Sequence, residues 1–314
     1  NAAKGKKKRP IVNNFLLNLE PELWSLQKDL ENKTYCPGDY YQFILYDPKK
    51  RTISAAPFRD RVLHHAICML LEPVLERYFI FHSYACRKEK GMHRALNLAK
   101  KYALSYRYFL KLDVAKFYDS VSHEILKAKL RRIIKDNDFL WLLDKVIDTA
   151  PCPVPGMGLP VGNLTSQYFA NFLLSSVDHY AKEILLIKAY LRYMDDFLLF
   201  AEEKEDLQYC QKALEEYLES HLHLKWKEKA TILAPVTEGI PFLGFRLFPG
   251  YERIQKKNWK RFKKNFQKRQ KEFEDGEITL ASLEASVESM TSYIMQANTA
   301  RIRGEFFSQY AMDL

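Results

Sequence analysis

Two aspartates, Asp195 and Asp196, stand side by side in YLRYMDDFLLF (190–200), a run otherwise dominated by leucine, methionine and aromatics. Burying a carboxylate is costly unless a cation meets it, so the pair is either a solvated turn or one end of a metal site. An ordinary tight hairpin turn carries Gly or Asn to reach positive φ, and Met-Asp-Asp offers neither. A second apolar stretch, FLKLDVAKFYDS (109–120), ends its strand-like part in Asp113, where the chain turns towards a helix. An antiparallel sheet that sets these two ends together gathers three carboxylates. Such a cluster repels itself unless divalent cations sit within it, and hard oxygen donors without Cys or His select Mg²⁺ or Mn²⁺. Two such ions about 4 Å apart activate an attacking oxygen and stabilise a leaving one in phosphoryl transfer.

The remaining composition narrows the partner. The 314 residues are 47% hydrophobic and 14% aromatic, which is enough for a sizeable core. A net charge of +10 argues for a polyanion. KGKKKRP near the start forms a basic arm, and ten lysines and arginines with no acid lie between Arg253 and Lys271. Within the second run Trp259, Phe262, Phe266 and Phe273 recur at helical spacing. The pattern predicts an amphipathic helix over 253–273 with an aromatic stripe inward and a basic face, including Lys256, Lys260, Lys264 and Lys268, outward. A phosphate backbone suits that face. The five cysteines are scattered without a CxxC pair, which argues against structural zinc and a disulfide framework and fits a reducing cytoplasm. No apolar run approaches the roughly 18 residues of a membrane span, and the start lacks a signal peptide's apolar core.

The elements that must position the carboxylates follow from periodicity. Leu16, Leu19, Leu23, Leu26 and Leu30 trace a stripe over two helices, with Pro21 in the first turn of the second. Strands broken by Pro and Gly occupy the region after Cys36. A helix is expected over 60–80, with Val62, Ala66, Met69, Leu70 and Val74 on one side. YRYFLKLDV reads as a buried strand, with a helix capped by Ser122 after it. A rigid Pro/Gly loop then enters a helix over 163–183. Strand, turn and strand follow at 189–200, then a helix at about 204–220, short strands at TILAP and PFLGFRLF, and helices over 255–314. Strands and helices mix without βαβ regularity, which gives an α+β class with an antiparallel sheet and a helical C-terminal part.

The motifs in order are similar to those of reverse transcriptases. YMDD (193–196) matches the YxDD signature, and DVAKFYDSVSHEIL (113–126) the strand–helix motif with the other catalytic aspartate. GLPVGNLTSQYFANFLLSSVDH (158–179) resembles the loop and helix under template and nucleotide, and FLGF (242–245) the primer-grip hairpin. KKRTISAAPFRDRVLHHAI and FHSYACRKEKGMHRAL resemble finger motifs of the group-II-intron-like branch. Within it, GNLTSQ and SYACRKEKG are most similar to reverse transcriptases of diversity-generating retroelements.

The resemblance implies a right-hand fold: an N-terminal arm and helical extension over 1–33, fingers over 34–108, palm over 109–250 with finger elements interleaved around 122–160, and thumb over 251–314. It implies Asp113, Asp195 and Asp196 as catalytic residues and metal ligands, with the Val114 carbonyl as a further ligand to two Mg²⁺ ions, or Mn²⁺ in their place. Tyr118 falls on the steric-gate position that excludes a 2′-hydroxyl. Arg51 falls on the finger position that grips the triphosphate; Lys49 and Lys50 beside it read equally as solvated. Gly162 and Gln167 belong to the nucleotide-binding loop and helix, and Lys229 to a position that can protonate pyrophosphate. Arg59 and Arg61 around Asp60 read mainly as structural ion pairing, with template contact as the alternative.

One departure from the family pattern concerns fidelity. Many reverse transcriptases carry a glutamine ahead of the LPxG glycine, where this chain has Val161. A valine side chain cannot hydrogen-bond to hold the incoming nucleotide, so base-pair checking is expected to relax at this position together with Gln167; simple packing of Val161 under the nucleotide is the alternative. The implied function is a diversity-generating retroelement enzyme that copies a template RNA into cDNA with errors opposite adenines. It would use dNTPs, an RNA/DNA duplex and a small basic helical accessory protein, with no RNase H or endonuclease domain and no membrane. A bacterial or phage-encoded cytoplasmic enzyme is expected. A retron-like or phage-defence reverse transcriptase and a non-catalytic RNA-binding scaffold are the other readings.

Overall fold

The computed structural model describes residues 2–46, 50–152 and 154–310. Two helices, α1 (Pro10–Leu17) and α2 (Leu19–Glu31), precede an antiparallel hairpin of β1 (Tyr41–Tyr46) and β2 (Lys50–Ala55). Next come α3 (Phe58–Glu76), α4 (Met92–Ser105), β3 (Tyr108–Asp113), α5 (Phe117–Ser120), α6 (His123–Ile133) and α7 (Asn137–Asp148). The long α8 (Leu164–His179) runs into a π-helical turn, Tyr180–Ile184, and then into β4 (Ala189–Tyr193) and β5 (Asp196–Ala201). The chain continues through α9 (Lys204–Leu222), β6 (Ile232–Pro235), β7 (Ile240–Phe242), β8 (Phe245–Phe248) and β9 (Tyr251–Ile254). It finishes with α10 (Lys256–Glu274), α11 (Leu280–Ile294) and α12 (Ala300–Phe307). No helix among the described residues is long and apolar enough to cross a membrane.

The central sheet has the order β4-β5-β3-β6 and is antiparallel throughout. Alternation along its strands divides the apolar side chains between two faces. Leu110, Leu112, Tyr190, Phe197 and Leu199 join a core with Phe169, Leu173 and Val177 of α8 and Leu214 and Leu218 of α9. Phe109, Leu191, Leu198 and Phe200 face the other way, against Ala95, Leu96 and Ala99 of α4 and Phe242 and Phe245 of the small β7-β8-β9 sheet. Asp113 and Asp196 share the alternation of Phe109 and Leu198, so they belong to the face opposite α8 and α9.

Caps fix where helices begin. Ser122 Oγ accepts from the Ile125 amide at 3.3 Å, as its position before α6 predicts, and Asp136 Oδ1 accepts from the Phe139 amide at 2.8 Å at the start of α7. Within α3 the structure differs from the sequence expectation in two respects. The stripe assigned to 60–80 is the outer one: Met69 and Leu70 are exposed, while Leu63, His64, Ile67, Cys68, Leu71 and Leu75 are buried. The inner stripe hides its period because a histidine and Asp60 belong to it. Asp60 does not pair with its flanking arginines; it accepts from Tyr35 Oη at 2.8 Å and the Gly38 amide at 2.9 Å. Arg59 pairs instead with Asp29 at 2.5 Å.

The C-terminal helices pack around an aromatic cluster. Phe262 and Phe266 of α10 meet Phe306 of α12 at ring distances of 5.5 and 5.3 Å, and Trp259 stacks on Phe262 at 5.2 Å. The helix starts at Lys256, since Tyr251–Ile254 extends the small sheet. Gly244, at φ 91, lets that sheet meet the helices: a Cβ there would lie 2.4 Å from Asn258 Nδ2 and 2.1 Å from Tyr293 Oη. Asn258 Nδ2 donates to the Gly244 carbonyl at 2.9 Å.

Candidate active site

The β4–β5 connection is two residues long. Tyr193 pairs with Asp196, leaving Met194 and Asp195 as the turn. Met194 takes φ 53, the left-handed conformation that a hairpin turn demands and that costs a non-glycine residue about 1–2 kcal/mol. The next register pair sets Asp113, the last residue of β3, directly opposite Asp196. Three carboxylates therefore come to one end of the central sheet from two strand ends and one turn.

Their electrostatics follow from that crowding. Burial first, and then the neighbouring charge of Asp113, push the Asp195 carboxyl up to about 6. Two lysines oppose the repulsion. Lys111, on the same strand face as Asp113, forms an ion pair with Asp196. Lys227 Nζ lies 4.0 Å from Asp113 Oδ1, and its amide donates to the Asp113 carbonyl at 2.8 Å. Among the described residues, no three carboxylate, histidine or cysteine side chains are arranged so as to hold a metal ion between them. The donor set nevertheless fits a hard divalent cation: the nearby donors are carboxylate oxygens, and Asp195 carries negative charge that its surroundings leave under-compensated. Val114 follows with its side chain buried and its backbone bridged to Trp226.

This site lies within residues 46–247, which match the family model described as "Reverse transcriptase (RNA-dependent DNA polymerase)". The chain belongs to the reverse transcriptase family. Relatives include Protein YkfC of Escherichia coli (strain K12), 27% identical over 75% of this chain and 74% of its own length. The group II intron-encoded protein LtrA of Lactococcus lactis subsp. cremoris is 19% identical over 72% of this chain and 49% of its own. In fold, the chain is similar to telomerase from Candida albicans, with a TM-score of 0.55 at 13% identity over 81% of this chain and 55% of that one. The chain thus spans about half the length of these two larger proteins. The fold is the right-hand polymerase fold expected from the motifs, and the relatives include a group II intron-encoded protein.

Of the other sequence candidates in the reverse transcriptase, Tyr118 feels the charge of Asp195, and Arg51 and Val161 line one cavity. Tyr118, near the start of α5, is held far above its ordinary range by burial, then by the charges of Cys86 and Asp195, with Arg51 acting in the opposite sense. Those influences put the phenol among a carboxylate, a thiol and the guanidinium of the β2 hairpin. Arg51, Gln42, Asp119 and Val161 line a cavity of about 710 Å³ between that hairpin and the 151–161 loop. The Val161 carbonyl accepts from the Ser54 amide at 2.8 Å. Gly162, at φ 121, packs so tightly on β2 that a Cβ would fall 2.9 Å from Ile53. Gln167 Oε1 accepts from Cys86 Sγ at 3.3 Å. Lys49 lies outside the described residues.

Some residues packed beside these candidates were not singled out from the sequence. Lys229 is exposed in a short turn without an ion pair among the described residues, whereas Lys227, two residues earlier, is the one beside Asp113. Lys111 was hidden inside an apolar strand, although the alternation that places Asp113 also places it. Cys86 has no warning in sequence: its φ of 53 turns it towards Gln167. Lys256, Lys260, Lys264 and Lys268 are exposed at four-residue spacing along α10, so they form one basic stripe. Lys268 pairs with Glu272 at 3.5 Å.

Proposed function

We propose that this chain is an RNA-directed DNA polymerase in which Asp113, Asp195 and Asp196 hold divalent cations, with the Val114 carbonyl as a further ligand. The observation that carries this is the pairing of Asp113 with Asp196 across β3 and β5, beside the Asp195 turn, in a chain of this family. Two Mg²⁺ ions, or Mn²⁺, would supply an activated primer 3′-oxygen and charge relief on the departing pyrophosphate. The chain's own groups do the rest. Lys111 and Lys227 restrain carboxylates that would otherwise spread apart. Arg51 offers a fork to the triphosphate, Tyr118 closes the space a 2′-hydroxyl would need, and Gly162 and Gln167 shape the nucleotide floor. Lys229 keeps the assignment of proton donor to pyrophosphate, with Lys227 as its nearer competitor. Fingers over 34–108, palm over 109–250 and thumb over 251–314 would enclose an RNA/DNA duplex, with the α10 lysines on its backbone.

The finer reading is a diversity-generating retroelement enzyme that makes adenine-directed errors in cDNA and works with a small basic helical accessory protein. GNLTSQ, SYACRKEKG and Val161 support it. Sequencing cDNA made on a defined RNA with Mg²⁺ tests both levels. Template-dependent cDNA with errors concentrated opposite adenines is expected, and Val161→Gln should reduce them. Faithful cDNA would leave a polymerase of the retron-like or defence type; no cDNA under any divalent cation would contradict polymerisation.

A further inference from the structure

The hairpin that carries Asp195 and Asp196 has a residue facing the other way. Arg192 of β4 is fully buried, with 0% of its side chain exposed, and so is its partner Asp178 on α8. The guanidinium is bidentate: Nε lies 2.7 Å from Asp178 Oδ1 and Nη2 2.5 Å from Oδ2. The remaining donors go elsewhere. Nη1 reaches Asn171 Oδ1 at 2.7 Å and the Met194 carbonyl at 3.0 Å, and Nη2 reaches Ser83 Oγ at 3.2 Å. Tyr190 Oη donates to Asp178, and Asn171 Nδ2 donates to the Ala85 carbonyl at 2.9 Å. The main chain repeats the link, since the Arg192 amide donates to the His82 carbonyl and its own carbonyl accepts from the Tyr84 amide, both at 2.9 Å.

A buried ion pair is a poor way to gain stability, because apolar side chains of equal volume do as well or better. What this pair provides is placement. Met194 sits in an unfavourable left-handed conformation, and the Arg192 guanidinium holds its carbonyl one residue before Asp195. Through Asp178 and Asn171 the same group is fixed to α8, and through Ser83 to the segment that leads into Cys86. We propose that Arg192 is the positioning residue of the catalytic hairpin, holding its tip so that Asp195 and Asp196 meet Asp113. The proposal rests on the catalytic reading of those carboxylates. A lysine at this position would keep the charge opposite Asp178, but a single ammonium cannot also span Asn171, Ser83 and the Met194 carbonyl.

The test compares full-length Arg192→Lys and Ser83→Ala with Leu214→Ala, a buried substitution on α9 chosen as a stability-matched control. Thermal melts set a temperature at which each variant is folded. Single-turnover nucleotide incorporation, template–primer affinity and Mn²⁺ affinity by electron paramagnetic resonance are then measured. Arg192→Lys is expected to lower the incorporation rate by about 10²-fold, the scale of a slightly misplaced reacting group. It should also weaken Mn²⁺ binding and leave template–primer affinity unchanged. Ser83→Ala should move the rate and Mn²⁺ affinity the same way by less, and Leu214→Ala should move neither. An Arg192→Lys protein with the control's rate and normal Mn²⁺ affinity would overturn the proposal. Should Arg192→Lys not fold, unchanged rate and Mn²⁺ affinity in Ser83→Ala would do so. Failure of the catalytic reading is distinguishable: Asp195→Asn would then incorporate nucleotides as fast as wild type.

Discussion

The two ends of this molecule are built on opposite terms. Around Phe262, Phe266 and Phe306 the thumb follows ordinary patterning: aromatic side chains inward, lysines outward, no positive φ within α10 and no buried charged side chain among its described residues. At the carboxylate end of the palm, three acids crowd together, a methionine occupies left-handed space, and an arginine is buried beneath them. Local order in the first region stabilises the protein. In the second the local choices oppose stability, and the surrounding sheet and helices hold them in place, which is the usual mark of a functional site.

Breaking the thumb should show only losses of stability and duplex binding. Phe266→Ala removes the ring that meets both Phe306 and Phe262, and a calorimetric or denaturant melt should show a destabilisation of about 3–5 kcal/mol. A loss within the range of a surface substitution would mean that the cluster packs loosely.

The palm tip should respond with the opposite sign. Asp195→Asn removes a carboxylate whose folded pKa is raised from 3.8 to about 6. Its protonated form is the one the fold prefers, so this group's contribution to stability is full below about pH 4 and is lost as pH rises through about 6. The variant should therefore be more stable than wild type at pH 7.5 without divalent cations, by on the order of 2 kcal/mol, and the gain should fade by pH 4. Paired chemical-denaturation curves at the two pH values check this. A destabilised Asn variant at pH 7.5 would mean that the lysines more than compensate the acids.

The gentlest probe separates binding from chemistry. Lys260→Glu, Lys264→Glu and Lys268→Glu together should flatten the salt dependence of template–primer binding, each lost phosphate contact lowering the slope by about 0.9. An unchanged slope would direct the α10 face towards a protein or solvent.

The same contrast decides what could be read from sequence. The thumb stripe of Trp259, Phe262 and Phe266 was legible because hydrophobic period and burial coincide there. Asp113, Asp195 and Asp196 were legible as acids at the ends of apolar strands, and register then followed from antiparallel pairing. Arg192 was not, since a charge inside YLRYMDD reads as solvent-facing until α8 supplies Asp178. Met69 and Leu70 misled for the converse reason: they are apolar on the exposed side of α3, whose inner side carries His64 and Asp60. Pattern reasoning assumes polar residues point out, and it fails where buried polar groups satisfy one another.

The central claim is tested most directly by single-nucleotide incorporation on an RNA template with a DNA primer and Mg²⁺, comparing wild type with Asp113→Asn and Asp195→Asn at equal duplex occupancy. The account predicts incorporation by wild type and a fall on the order of 10³-fold in each variant, with duplex affinity retained. Equal rates in all three proteins would contradict it.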